Sequence, residues 1–164
     1  RITGSYESVD RIPRLHNFAG NIESVTGMRD GQCGALGFLG ADDNRLSYHL
    51  TEEQNKILID ESSFRDSVNN LIIFRTNYRG ERLGSAEGMY EKMEKFMDDI
   101  TYSNCFNPFI WFTHEPYVYK NSVLTEYSQN VEDVCRFAHD YDIAFVYPQK
   151  RVDIIECRLQ NPDK

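Results

Sequence analysis

Residues 71–76 read LIIFRT, four apolar residues followed by polar ones. A short unbroken apolar block of this kind is the pattern of a strand buried on both faces of a parallel sheet. Three other blocks share the form. Residues 33–43 (CGALGFLGADD) run small and apolar and end in two aspartates. They predict a strand near 35–40 whose carboxyl end delivers acids into a loop. Residues 109–113 (FIWFT) are a strong strand ending in His114-Glu115-Pro116, and residues 143–147 (IAFVY) are a further one.

Helical patterns separate these blocks. Thr51 opens TEEQNKILIDE, with Gln54 three residues later, which is a capping-box signature. Residues 85–100 place Met89, Met93, Phe96, Met97 and Ile100 on one face. A Met stripe can mark a binding groove, but this spacing is also what core packing requires. Residues 126–141 place Val131, Val134, Cys135 and Ala138 on one face, which makes Cys135 a small buried hydrophobe. A short helix over 21–30 is expected to stop at Gly31 in a left-handed cap. The polar entry before it, with Pro13, reads as irregular with one short strand, and residues 152–157 as an edge element.

Apolar strands alternating with amphipathic helices predict βαβ units. The expected fold is α/β, a parallel sheet covered by helices, in a single domain over 1–164. Four such strands make an open sheet or part of a barrel. No internal repeat, low-complexity run or linker interrupts them.

The composition fits this. The chain has 164 residues, 40% hydrophobic and 27% charged, the balance of a folded domain. Ten Tyr and ten Phe suit a carbohydrate cleft, but core burial is where aromatics most often go. The net charge of −8 comes with no basic stripe, which argues against nucleic acid and against an anionic membrane surface as partners. No stretch approaches the roughly 20 apolar residues of a membrane span. No signal peptide is read at the start. Arg1 stands where Met would open a nascent chain, so the chain is expected to begin after processing or within a longer protein. Cys33, Cys105, Cys135 and Cys157 form no C-x-x-C pair and have no zinc-finger spacing, which leaves disulfides and compartment open.

In parallel α/β folds, sites form at the carboxyl ends of the strands. That rule selects Asp42-Asp43, then Arg75-Thr76-Asn77-Tyr78-Arg79, then His114-Glu115. Strands that are parallel neighbours would bring all three groups to one rim. Each group also has a plain reading. Asp42-Asp43-Asn44 is a turn composition. Arg75 and Arg79 fit an anion or open solvent, and His114 fits a polar turn. His49 and His139 read as surface or packing residues. Trp111 and Phe112 alternate, so one of them is expected to face the core and the other the helix layer.

The segment FIWFTHEP resembles the late motif of the polysaccharide deacetylases (carbohydrate esterase family four), in which a strand ends in an apolar residue, one further residue and a His that serves as general acid. Phe112-Thr113-His114 has that form. Arg11-Ile12-Pro13-Arg14 resembles the family's Arg-x-Pro motif. GFLGADD resembles its acidic motif, which orients the catalytic His, and RLHNFAGN precedes GFLGADD as in divergent members. The resemblance covers most of the chain in order. It implies the C-terminal part of an irregular (β/α) barrel that hydrolyses N- or O-acetyl groups on sugars. His114 would be the general acid, Asp42 or Asp43 would hold its imidazole, and Arg11, Arg14, His16, Arg75 and Trp111 would contact substrate.

The departures are specific. No position matches the family's catalytic Asp of the first strand. No two of His16, His49, His114 and His139 stand four residues apart, so the metal-binding His-x-x-x-His is absent. Zinc or another divalent metal is therefore expected in a complete protein, with no metal ligand assignable here. The reading from another class is a catalytically inactive domain that binds a glycan or a protein. A different α/β hydrolase or transferase is disfavoured, because the chain has no G-x-S-x-G elbow and no glycine-rich phosphate loop. A sheet lacking its first strands would leave an open edge. That edge is expected to pair in a homodimer or to be covered by the chain's own N-terminal residues.

Overall fold

The computed structural model describes residues 11–32, 34–80, 88–102, 109–114, 118–121, 123–125, 127–145, 150 and 152. The chain is mixed α/β, with helices and, among the described residues, three small sheets, two of them containing a parallel pair. It divides into two compact units, residues 1–75 with 146–164 and residues 76–145.

The first unit is built on β1 (Gly37–Gly40) and β3 (Leu71–Arg75), which pair in parallel as the two apolar blocks predict. Phe38 lies opposite Ile73 and Gly40 opposite Arg75. Leu71, Ile72, Ile73 and Phe74 are all buried, so β3 is covered on both faces, as an unbroken apolar run requires. β2 (Ser63–Asp66) pairs antiparallel with the far side of β3, giving the order β1-β3-β2. Its sequence, SFRD, has no apolar block and carries no strand signal of its own.

Two helices close this sheet. In α1 (Ile22–Asp30) the Asn21 carboxamide accepts the Ser24 N–H at 2.9 Å as N-cap. In α2 (Glu52–Glu61) Thr51 and Gln54 form the capping box in both directions, at 3.2 and 3.0 Å. Val25 of α1 packs with Ala35, Phe38 and Leu71. Leu58 of α2 packs with Leu50 and Ile73.

The Gly31 expectation is corrected. Gly31 has φ −77°, not a left-handed value. A Cβ there would lie 2.7 Å from the Gly27 carbonyl oxygen, so this position needs a glycine for space and not for handedness. Among the described residues the left-handed glycine is Gly34, at φ +52°.

The edge of β1 away from β3 is lined by the chain's own segment 11–13. The Leu36 N–H donates to the Arg11 carbonyl at 2.9 Å and the Leu39 N–H to the Pro13 carbonyl at 3.0 Å. Ile12 between them is buried.

In the second unit, α3 (Met89–Tyr102) and α4 (Ser128–Asp140) pack together. Met89 and Met93 meet Val134 and Phe137, with Met97 against the same cluster. The methionine stripe is therefore core. The Ile100 side chain lies outside the described residues. The expected α4 face holds at Val134 and Ala138, which are buried, but is corrected at Cys135, which is exposed, and it lacks the buried Phe137. Positions 134, 137 and 138 follow the i, i+3, i+4 rule, and 135 stands about 100° from 134. β4 (Tyr78–Arg79) pairs in parallel with β5 (Trp111–Phe112), and β6 (Tyr119–Lys120) pairs antiparallel with β7 (Val123–Leu124).

The four expected strands thus form no single parallel sheet among the described residues. Residues 143–145 are irregular, with Phe145 70% exposed. An apolar pattern specifies burial, but a strand also needs a partner's backbone. The rest of that expected strand, residues 146–147, lies outside the described residues, as do Cys33, Cys105, Cys157 and the entry before residue 11. Of the expected edge element at 152–157, only Val152 is described, and it is helical and buried.

A Cβ on Gly37 would lie 1.8 Å from the Ile72 carbonyl oxygen across the parallel pair. Gly37→Ala is expected to destabilise the chain by at least about 3 kcal/mol, since the clash is with backbone that cannot yield without breaking the ladder. Thr51→Ala, which removes one cap, should cost about 1 kcal/mol. Urea unfolding midpoints of the two variants check the order, and a Gly37→Ala midpoint at or above that of Thr51→Ala contradicts it.

Candidate functional site

At the carboxyl ends of β1 and β3 the loop 41–50 is tightly built. The Ala41 N–H donates to the Ser47 hydroxyl at 3.0 Å, and the Ser47 N–H donates to the Asn55 carboxamide at 3.1 Å. The Asn55 amide in turn donates to the Arg45 carbonyl at 3.1 Å. Ser47 and Asn55 are both buried. Arg45 grips Asp43 in a two-point ion pair, 2.7 Å at each oxygen, so the Asp43 carboxylate is engaged within its own turn. Arg75 donates to the Ile59 carbonyl of α2 at 3.0 Å, which ties the strand end to the helix end.

The remaining candidates of this unit lie in the segment before α1. Arg11 is exposed and donates to the Gly34 carbonyl at 2.7 Å. His16 is exposed in a 3-10 turn (His16–Phe18). The Arg14 guanidinium lies 5.5 Å over the Phe18 ring. Phe18 and Tyr48 both have left-handed backbones, φ 57° and 56°, which is costly for bulky residues. The Tyr48 N–H donates to the Phe18 carbonyl at 2.7 Å. The Tyr48 hydroxyl donates to the Leu39 carbonyl, and burial pushes its pKa well above the ordinary tyrosine value.

The second unit brings the late candidates together. Because β4 and β5 are parallel, both carboxyl ends point the same way. In the register Tyr78 pairs with Trp111 and Arg79 with Phe112. Residues paired across a ladder share a face. Tyr78 and Trp111 pack on the α3–α4 core. Thr113 lies on that side too: a Cβ on Gly80 would be 3.1 Å from it and 3.2 Å from the Trp111 ring. Arg79, Phe112 and His114 occupy the opposite face. The Arg79 guanidinium lies 5.3 Å over the Phe112 ring. The His114 ring meets Phe112 edge-on, centroids 5.5 Å apart at 82°. All three side chains are half-buried. Phe112, rather than Trp111, therefore shares a face with His114, and Trp111 belongs to the helix-facing layer. Its indole N–H is buried without a hydrogen-bond partner among the described residues.

Asp42 and Asp43 belong to the first unit and His114 to the second. Glu115 lies outside the described residues.

One polar constellation has no counterpart in the sequence reading. His49 Nε2 lies 2.6 Å from Asp66 Oδ2, with the two side chains 12% and 4% exposed, so His49 is a hydrogen-bond partner packed against Asp66 rather than a surface residue. Asn69 donates to the same carboxylate from its backbone N–H at 3.0 Å and from its side chain at 2.7 Å. The Arg29 guanidinium holds the Asn69 carbonyl and adds positive charge nearby. Burial pushes the Asp66 pKa up, but the hydrogen bonds from Asn69 and His49 outweigh it and hold the carboxyl below its usual range. His49 and Asp66 are 17 positions apart. The only local signal is Asp66 three residues before Asn69, an Asx-turn spacing. His139 is exposed beside Asp140, in keeping with a surface residue.

Among the described residues, no three of His, Cys, Asp and Glu stand close enough to hold a metal ion. Among the described residues, the donors gathered at the β4–β5 rim are one imidazole and one guanidinium. Arginine does not ligate zinc, so this set does not fit a divalent cation and no catalytic step is assigned to a metal on it. Compared with known proteins, the chain matches no family model, no curated protein and no solved structure.

The Asp66 contacts have a pH signature. Its folded pKa lies below the unfolded value of about 4, so its stabilisation is fully present above about pH 4 and lost as pH falls through the folded pKa. Asp66→Asn should lower stability near neutral pH by about 2 kcal/mol and flatten the acid limb of the stability curve. Urea unfolding from neutral pH down to about pH 3 measures both, and an acid limb as steep as the wild type's would contradict this role.

Proposed function

We propose that this chain is a carbohydrate-binding α/β domain of the polysaccharide deacetylase kind, and that its Arg79–Phe112–His114 face takes an acetylated sugar. The observation that carries the reading is the parallel β4–β5 pair, which ends in a guanidinium and an imidazole backed by one ring. Sugar hydroxyls and an acetyl carbonyl are recognised by fixed donors set against apolar surface. Arginine stacked on a ring uses its face there and keeps N–H groups at its edge for hydrogen bonds. Phe112 is then the support that orients both donors.

The same arrangement suits the chemistry that the FIWFTHEP resemblance implies. A His beyond the strand end is placed to donate a proton to the leaving amine of an N-acetyl sugar. The second reading is a domain that holds the glycan without cleaving it. It needs only the two donors and the ring that this face gathers.

Trp111 is the chain's single tryptophan and neighbours Phe112, so its emission reports on this rim. Titration with oligomers of N-acetylglucosamine is expected to shift Trp111 emission and release heat. Arg79→Ala and His114→Ala should each weaken binding about tenfold, the worth of about one hydrogen bond to a charged or polar donor. Acetate release that is lost in His114→Ala supports the hydrolase. Binding without acetate release supports the inactive domain. Absence of both heat and spectral change up to about 10 mM sugar, weaker than a millimolar ligand would show, overturns the proposal.

A further inference from the structure

We propose that Asn130, on α4, is a positioning residue for the Arg79–Phe112–His114 face. The inference builds on the sugar-binding reading. β4 has two residues and two ladder pairs, too few to hold a strand in place alone. It is pinned at both ends by asparagine. In front, the Asn77 N–H donates to the Ile110 carbonyl at 2.8 Å, and the Asn77 side-chain oxygen accepts the Ile110 N–H at 2.6 Å. Behind, Asn130 Nδ2 donates to the Gly80 carbonyl at 2.9 Å, a bond that spans 50 positions.

Gly80 lies close against β5: a Cβ there would meet Thr113 at 3.1 Å and the Trp111 ring at 3.2 Å. The Asn130 bond holds its carbonyl from α4. Arg79 is the residue just before Gly80, so the carbonyl that Asn130 holds sets the backbone from which the guanidinium reaches Phe112. Asn130 lies in the first turn of a helix anchored by Val134 and Phe137, which makes it a rigid post.

The test uses three variants of the full chain. Asn130→Asp keeps the shape but turns the donor into an acceptor facing a carbonyl. Asn130→Ala removes it, and Asn130→Gln keeps the amide on a longer arm. Asn130→Asp and Asn130→Ala are expected to shift Trp111 emission, as Gly80 comes away from its ring, and to weaken N-acetylglucosamine oligomer binding about tenfold. The far-UV circular dichroism should be unchanged, and Asn130→Gln should recover part of the affinity. Wild-type emission and affinity in Asn130→Asp overturn the proposal. So does a loss in all three variants that tracks a loss of helix signal, because that is the mark of a general folding role. Should the wild-type chain bind no sugar, the sugar-binding reading falls, and Trp111 emission of Asn130→Asp still decides whether Asn130 holds Gly80.

Discussion

The close approach of β1 to β3 at Gly37 is the constraint on which the first unit depends. In this parallel pair the Ile72 carbonyl occupies the space where a Cβ of residue 37 would be. Only glycine lets the backbones reach hydrogen-bonding distance, and the register follows from that contact. Gly37 against Ile72 places Phe38 across from Ile73 and Gly40 across from Arg75. Phe38 can then meet Val25 of α1, and Ile73 can meet Leu58 of α2. Gly40 repeats the device in weaker form. A Cβ there would crowd Ile73 and Leu58 at 3.0 Å and the Ser47 hydroxyl at 3.2 Å. The loop bearing Asp42 and Asp43 owes its shape to a strand that carries glycine at both ends.

How much of this is legible in the sequence depends on the range of the interaction concerned. The Thr51–Gln54 box and the methionine stripe are written within a few residues, and both are readable. So are the parallel strands LIIFR and GFLG, because burial on both faces leaves an unbroken apolar run. The α4 face misleads because Val134 and Ala138 belong to two overlapping arcs, one reaching to Cys135 and the other to Phe137. The larger Phe137 wins the core and turns Cys135 outward. β2 is invisible because its SFRD sequence gains its place from the antiparallel ladder to β3 and not from its own apolarity. Residues 143–145 show the converse, an apolar pattern with no ladder among the described residues.

The site divides along the same line. The rule of strand carboxyl ends, with the deacetylase resemblance, points to His114. The choice between Trp111 and Phe112 cannot be made from alternation alone, since a period of two is symmetric under exchange of faces. The bare α-carbon of Gly80 breaks that symmetry by admitting Trp111 and Thr113 on one side. Arg79, Phe112 and His114 then take the other. The His49–Asp66 pair has no comparable local mark, because its members come from a loop and a strand end that meet only in three dimensions.

Three asparagines explain how such short strands hold their loops. Asn55 accepts from the Ser47 N–H and donates to the Arg45 carbonyl, Asn77 accepts from the Ile110 N–H, and Asn130 donates to the Gly80 carbonyl. Backbone groups at a strand end lose their ladder partner and need another one. A carboxamide carries the same donor and acceptor as a peptide group, so it can stand in for the missing strand. Aspartate could not replace Asn130, because it has no N–H to offer a carbonyl. Serine would be too short to span from helix to strand. Where a sheet has two residues per strand, the amide side chains of neighbouring elements take the place that further ladder pairs hold in a longer sheet.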